Sequence, residues 1–300
     1  MEIPEQIVAS VREGKVILFL GAMASARAPE GCAFQYSDSP PSGAEVSRRL
    51  ATRYRYPGED VTNLQRVALY SEFRPGGSRK ELIDAVEREL GRPREDSPPD
   101  FEIAPSPALR MLAALPFRII ITTNYDRLFD VALGDATTRN GRRKDPIKRI
   151  YDPRRGGPPE EVPVDPEEQR PVLLKLHGDV DRPESVVITE EDYIAFVQNM
   201  GNPHFHPVHE YIRMRMRAWP FLFIGYSLRD YNLRLLFRTL RWGLDVSQFP
   251  LSFSVDPAPD NLVVAVWQRS TQPMVSFIQQ DLWAFVPALY RAVLGRDYAP

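Results

Sequence analysis

The hydrophobic positions of this chain alternate between two patterns. Ile3, Ile7, Val8 and Val11 recur at helical spacing, and a continuous apolar run from Lys15 to Leu20 follows at once. Runs without alternation suit parallel strands covered on both faces. The same kind of run returns at Arg118–Thr122 (RIIIT), Val172–Leu176 (VLLKL), Phe221–Ile224 (FLFI), Leu251–Val255 and Met274–Ile278. Val186–Ile188 reads as a further short strand. Between the runs, helical periodicity covers 44–54, 61–73, 79–90 and Ser106–Leu115, with Leu82, Ile83, Val86 and Leu90 on one face of the third. Later helices are expected behind capping residues: Arg127–Leu133 behind Asp126, Glu190–Gln198 behind a Thr189/Asp192 capping box, and Asp230 to about Trp242. A helix of about ten residues follows Asp260, and another spans Asp281–Leu294. Pro207–Ala218 is helical by period alone.

Six strand-to-helix steps predict an α/β fold, a Rossmann-like doubly wound parallel sheet of about six strands. The chain reads as a single domain over 1–300. A helical lobe at 44–105 is inserted after the first strand, and its end at 91–105 is a proline-rich linker. A loop insertion occupies 135–170. The 29 prolines cluster at 29–41, 93–107, 152–171 and 250–259, which places them in loops between compact segments.

Composition narrows the function class. At 300 residues and 43% hydrophobic content the chain can bury a sizeable core. A net charge of −2 gives no global reason for direct nucleic-acid binding. One cysteine, Cys32, excludes an internal disulfide and a four-cysteine zinc site, and suits a reducing cytoplasm. No apolar run approaches the roughly 18 residues of a membrane span, and the acidic N-terminus is unlike a signal peptide. His204, His206 and His209 are spaced as metal ligands could be. Pro207 interrupts them, however, and the helical i, i+4 pair of zinc hydrolases is missing, so a loop running into a helix is the expectation.

Ligands of doubly wound sheets sit beyond the carboxyl ends of the strands. The residues at those ends are GAMAS (21–25), TTNYD (122–126), HGD (177–179) and GYSLRD (225–230). Gly21, Ala22 and Ala24 form either a plain tight turn or a loop small enough for backbone N–H groups to approach a pyrophosphate, with Ser25 adding a hydroxyl. Asn124 is suited to gripping a ribose or a water. Asp126 is either a cap or a site residue. His177 is a candidate general base near neutral pH, with room opened by Gly178. Gly225 and Ser227 are either a turn or a second phosphate or ribose contact.

Together these motifs resemble the sirtuin superfamily, the silent information regulator-like domains. GAMAS is similar to that family's glycine-alanine-glycine-x-serine loop, TTNYD to its threonine-x-asparagine-x-aspartate motif, LHGD to its histidine-glycine, and GYS to its glycine-x-serine. Met23 stands where the family usually has its second glycine. The resemblance spans residues 10 to about 295 and points to the zinc-free bacterial branch, since the cysteines of the family's zinc module are absent. It implies NAD as substrate without zinc, Asn124 and His177 as catalytic residues, and Gly21, Ala22, Ser25, Thr123, Asp126, Gly225 and Ser227 around the dinucleotide, with Asp126 on the nicotinamide carboxamide. It further implies NAD+ glycohydrolase activity in anti-phage defence, as a homo-oligomer or beside a partner such as a hexameric translocase ATPase or a short Argonaute. An NAD-dependent protein deacylase and a non-catalytic NAD or ADP-ribose sensor or scaffold are the alternatives. The loops at 27–43 and 135–170 are candidates to gate the pocket.

Overall fold

The computed structural model describes residues 3–91, 102–155, 160–200, 208–228, 249–268 and 274–299. Most of the linker at 91–105, the helix expected from Asp230 to Trp242, and His204 and His206 lie outside them.

Seven parallel strands form one sheet in the order β3-β4-β2-β1-β5-β6-β7. They are β1 (Ile17–Leu20), β2 (Ile119–Thr122), β3 (Ile147–Ile150), β4 (Val172–Lys175), β5 (Phe221–Ile224), β6 (Ser252–Val255) and β7 (Val275–Ile278). The chain moves outward from β1 through β2 on one side and crosses back to β5 on the other. The topological switch point therefore lies between β1 and β5. β1, β2, β4 and β5 are buried at every position, as their unbroken apolar runs require.

Helices cover both faces. On one, α1 (Glu5–Arg12), α5 (Pro107–Ala114), α6 (Leu128–Asp135) and α10 (Leu282–Leu294) pack on Leu18, Ile120, Leu173 and Leu222. On the other, α7 (Glu190–Met200), α8 (Glu210–Ala218) and α9 (Asn261–Trp267) pack on Phe19, Ile121, Leu174 and Phe223. Between β1 and β2 come α2 (Gly43–Tyr54), α3 (Leu64–Phe73) and α4 (Arg79–Leu90), which share a core of their own with Val186 and Ile188.

Helix starts are set by side chains that accept the free N–H groups of the first turn. Ser42 and Glu45 form a reciprocal capping box, and Asn63, Ser78, Ser106, Asp260 and Asp281 cap α3, α4, α5, α9 and α10. The expected Thr189/Asp192 box is present: Asp192 N donates to Thr189 Oγ1 at 3.1 Å and Thr189 N to Asp192 Oδ2 at 2.9 Å.

Three expectations are corrected. The insertion at 135–170 is not loop throughout, because it contains β3, the edge strand beside β4. Val186–Ile188 is not a strand: Val187 N donates to His177 O and Ile188 N to Asp192 Oδ2, so its amides serve loops and a cap. The helix expected from Pro207 starts at Glu210, with His209 Nδ1 accepting from Tyr211 N at 3.3 Å. Among the described residues no helix is long and apolar enough to cross a membrane.

Candidate active site

The strand register brings the motifs together. Leu20 pairs with Thr122 and Ile224, and Thr122 with Lys175, so β4, β2, β1 and β5 end in a single row. GAMAS, TTNYD, HGD and GYS begin at or just beyond that row, on one edge of the sheet.

The loops after β1 and β5 interlock at the switch point. Ala22–Ser25 is one turn of 3-10 helix, and Met23 N donates to Gly225 O at 3.1 Å. A Cβ on Gly225 would sit 1.9 Å from Ala24 N, and Gly225 has φ of +70°, a conformation that favours glycine. A Cβ on Gly21 would meet Gly225 O at 2.4 Å and the Tyr226 ring at 2.6 Å. The two glycines are thus required by each other's backbone. Leu228, fully buried, closes the second loop with φ of 52°, a strained conformation for leucine.

Asn124 bridges from β2 to the first loop. Its Nδ2 donates to Gly21 O at 3.2 Å, and its backbone N donates to Thr122 Oγ1 at 3.0 Å. Asp126 Oδ1 accepts from Leu128 N at 2.9 Å, one residue ahead of the N-cap position Arg127, so it is not itself the expected cap of α6 and its Oδ2 is left for other work. Burial pushes the Asp126 carboxyl above its ordinary pKa, with Lys175 pulling the other way.

His177 is 5% exposed. Its ring stands edge-on to Tyr193 and to Phe196, at centroid distances of 5.3 and 5.1 Å. The next residue, Gly178, has φ of +83°, and a Cβ there would lie 2.2 Å from Ser185 O. The tight HG turn that presents the imidazole therefore depends on glycine. Asp179, fully buried, is bound by Lys175 and Lys148, each at 2.8 Å. Burial works against its charge, but the two ammonium groups outweigh burial and hold its carboxyl below the usual range.

A cavity of 380 Å³ opens over these loops. Ala22, Thr123, Asn124, Asp126, His177, Gly225 and Ser227 all line it, and so does Met23. Gly21 and Ser25 do not. Gly21 lies behind, against Gly225, and Ser25 is buried with its Oγ unpartnered among the described residues. Pro40 and Pro41 bring the 27–43 loop to the rim, whereas no described residue of 135–170 reaches it. Sequence reasoning passed over Tyr193, Tyr226, and the wall formed by Leu64, Val86 and Leu90. A larger hollow of 540 Å³ at the ends of α6 and α10 gathers Arg110, Asp135 and Arg139 but no side chain from the strand-end motifs. Among the described residues no group of His, Cys, Asp and Glu is placed to hold a metal ion.

The arrangement joins an amide, an imidazole, a carboxyl and a small-residue backbone loop around one concavity at a switch point, where dinucleotides bind in such sheets. Residues 118–270 match the SIR2-like domain. The chain is 27% identical over 242 residues to NAD(+) hydrolase ThsA of Enterococcus faecium, covering 80% of this chain and 43% of that protein. It is 26% identical over 244 residues to NAD(+) hydrolase ThsA of Acinetobacter baumannii (strain 532279), with 81% and 43% covered. Defense-associated sirtuin 2 of Bacillus subtilis is 30% identical over 145 residues, 47% of this chain and 12% of that protein. The chain thus spans less than half the length of these curated relatives.

Proposed function

This chain belongs to the SIR2-like family, and from that premise we propose that it is an NAD+ glycohydrolase. The carrying observation is the convergence of Asn124, Asp126, His177 and Ser227 on one cavity at the β1/β5 switch point. In the reaction, the bond from ribose C1′ to the nicotinamide nitrogen breaks and its electron pair leaves with nicotinamide. The ring nitrogen already carries positive charge, so departure needs no strong acid. The ribose develops oxocarbenium character, and one water adds at C1′ to give ADP-ribose. The protein's tasks are to orient the ribose, admit a single water and take its proton.

Each residue has a role that its geometry suits. Asn124 is tethered to Gly21 through Nδ2, and its remaining amide oxygen grips the ribose or the water. His177, held edge-on by two aromatic rings, is the general base toward the water or a ribose hydroxyl. Asp126 meets the nicotinamide carboxamide with Oδ2, the oxygen that does not accept from Leu128 N. Ala22, Thr123, Gly225 and Ser227 line the dinucleotide. Gly21 acts from behind by shaping the loop, and Ser25 lies under it.

The biological reading is an NAD-depleting effector of bacterial anti-phage defence, acting in the cytoplasm as a homo-oligomer or with a partner protein. Its supports are the names of the relatives and the single cysteine of the chain. NAD turnover in His177→Ala and Asn124→Ala tests the site: each falls at least ~10²-fold while the fold is kept. Unchanged turnover in either variant removes that residue from the mechanism.

A further inference from the structure

Lys175 ends β4 and is fully buried, inside a protein where charge is costly to bury. Packing alone does not call for a cation at this position, since a methionine would fill the same space. Its Nζ donates to the backbone carbonyl oxygens of Tyr125 at 3.2 Å and Asp126 at 2.5 Å. The same ammonium pairs with Asp179 at 2.8 Å and stands 3.6 Å from Asp130 on α6. Two residues further on lies His177. One buried charge therefore ties the loop that carries Asn124 and Asp126 to the turn that carries His177. Lys175 is not among the residues that line the cavity.

A second cation occupies the cluster in a different way. Lys148, from the edge strand β3, reaches Asp130 at 2.9 Å and Asp179 at 2.8 Å and donates to these carboxylates rather than to the Tyr125 or Asp126 carbonyls. Both lysines neutralise the carboxylates, but Lys175 alone of the two grips the 125–126 backbone. The pair separates charge balance from loop placement.

We propose that Lys175 is a positioning residue, which sets the Asn124–Asp126 loop against His177 for the chemistry in the cavity. The proposal rests on the NAD hydrolysis reading for its functional consequence, and on the hydrogen bonds for its structural one. A misplacement near 1 Å costs about 10²-fold in rate, and loss of the two carbonyl anchors permits a shift of that size.

The test compares Lys175→Met with Lys148→Met in the full chain. Lys175→Met keeps the shape, and Lys148 still pairs with Asp130 and Asp179. Each methionine variant removes one positive charge from the cluster, so the two differ in the carbonyl anchors rather than in charge, and far-UV circular dichroism checks that both fold. Lys175→Gln, which keeps a donor toward the carbonyls, is the second variant. The expected result is a kcat for NAD cleavage about 10- to 100-fold lower in Lys175→Met, with KM changed less than about threefold. Lys175→Gln falls between, and Lys148→Met stays within about twofold of the unaltered protein. Amide hydrogen exchange over residues 123–128 rises about tenfold in Lys175→Met and not in Lys148→Met. Equal kcat losses in the two methionine variants, or unchanged exchange in Lys175→Met, overturn the proposal. Nicotinamide release by the unaltered protein tests the hydrolysis reading by itself, and the exchange measurement judges Lys175 even where turnover is absent.

Discussion

Gly225→Ala is the substitution that the interlocked loops oppose most strongly. The added methyl carbon would lie 1.9 Å from Ala24 N and 2.5 Å from the Met23 carbonyl carbon, both backbone atoms that no rotamer change can move. The φ of +70° adds about 1–2 kcal/mol for any residue with a Cβ. Pushing the loops apart also breaks the hydrogen bond from Met23 N to Gly225 O, worth about 1 kcal/mol. Partial relaxation absorbs some of the overlap, so the expected loss is about 2–4 kcal/mol. Urea unfolding followed by far-UV circular dichroism reads the stability, and nicotinamide release from NAD reads the site. Gly134→Ala is the control: it lies in α6, its Cβ would meet nothing within 4 Å, and it should be neutral or stabilising by about 0.5 kcal/mol. Gly225→Ala within about 0.5 kcal/mol of the unaltered protein, with full turnover, would refute the interlocked geometry.

Two further predictions concern buried charge. Asp192 is fully buried between Arg79 and Arg154 and caps Ile188 and Thr189; burial opposes its charge, but Arg79 and the backbone donors outweigh it and hold its pKa below the ordinary value. Its stabilisation is therefore present above pH ~4 and lost as pH falls through the folded value, so Asp192→Asn should cost about 2–3 kcal/mol at pH 7 and nothing extra in strong acid, read by denaturant unfolding at each pH. Lys144 is buried with Nζ on Ala113 O and Leu115 O, both at 2.7 Å, and burial pushes its pKa down to about 8. Between pH 8 and its ordinary value the unfolded chain holds a proton that the folded chain lacks, so stability relative to Lys144→Met should rise by ~2 kcal/mol from pH 8 to 10; a flat difference would show that the ammonium is not desolvated.

Much of the architecture is written in unbroken apolar runs, because a strand buried on both faces leaves no room for alternation. β3 escaped this reading since Ile147-Lys148-Arg149-Ile150 places two cations mid-strand, which an edge strand tolerates and a central one does not. Val186–Ile188 misled for the opposite reason: it is apolar and buried, but Val186 and Ile188 pack against α2–α4 and Val187 against the sheet face, without joining the sheet. The strand-end motifs were legible because topology sends every parallel strand's end to one edge. The wall of Leu64, Val86 and Leu90 was not, since it depends on how the helices between β1 and β2 dock. The sequence leaves Gly21 and Gly225 as either plain turns or room for a phosphate or ribose, and the structure adds that each makes space for the other. Lys175 stands next to last in VLLKL, a run whose lack of alternation suits burial on both faces, but the sequence does not show which groups would pair a buried lysine there.

The most direct test of the central claim is nicotinamide and ADP-ribose release from NAD by the purified protein over a range of protein concentrations, with His177→Ala alongside. Equal amounts of the two products are expected, rising more steeply than linearly with protein concentration, and none from the variant. NAD left intact at every concentration, or equal release by the variant, would contradict the claim.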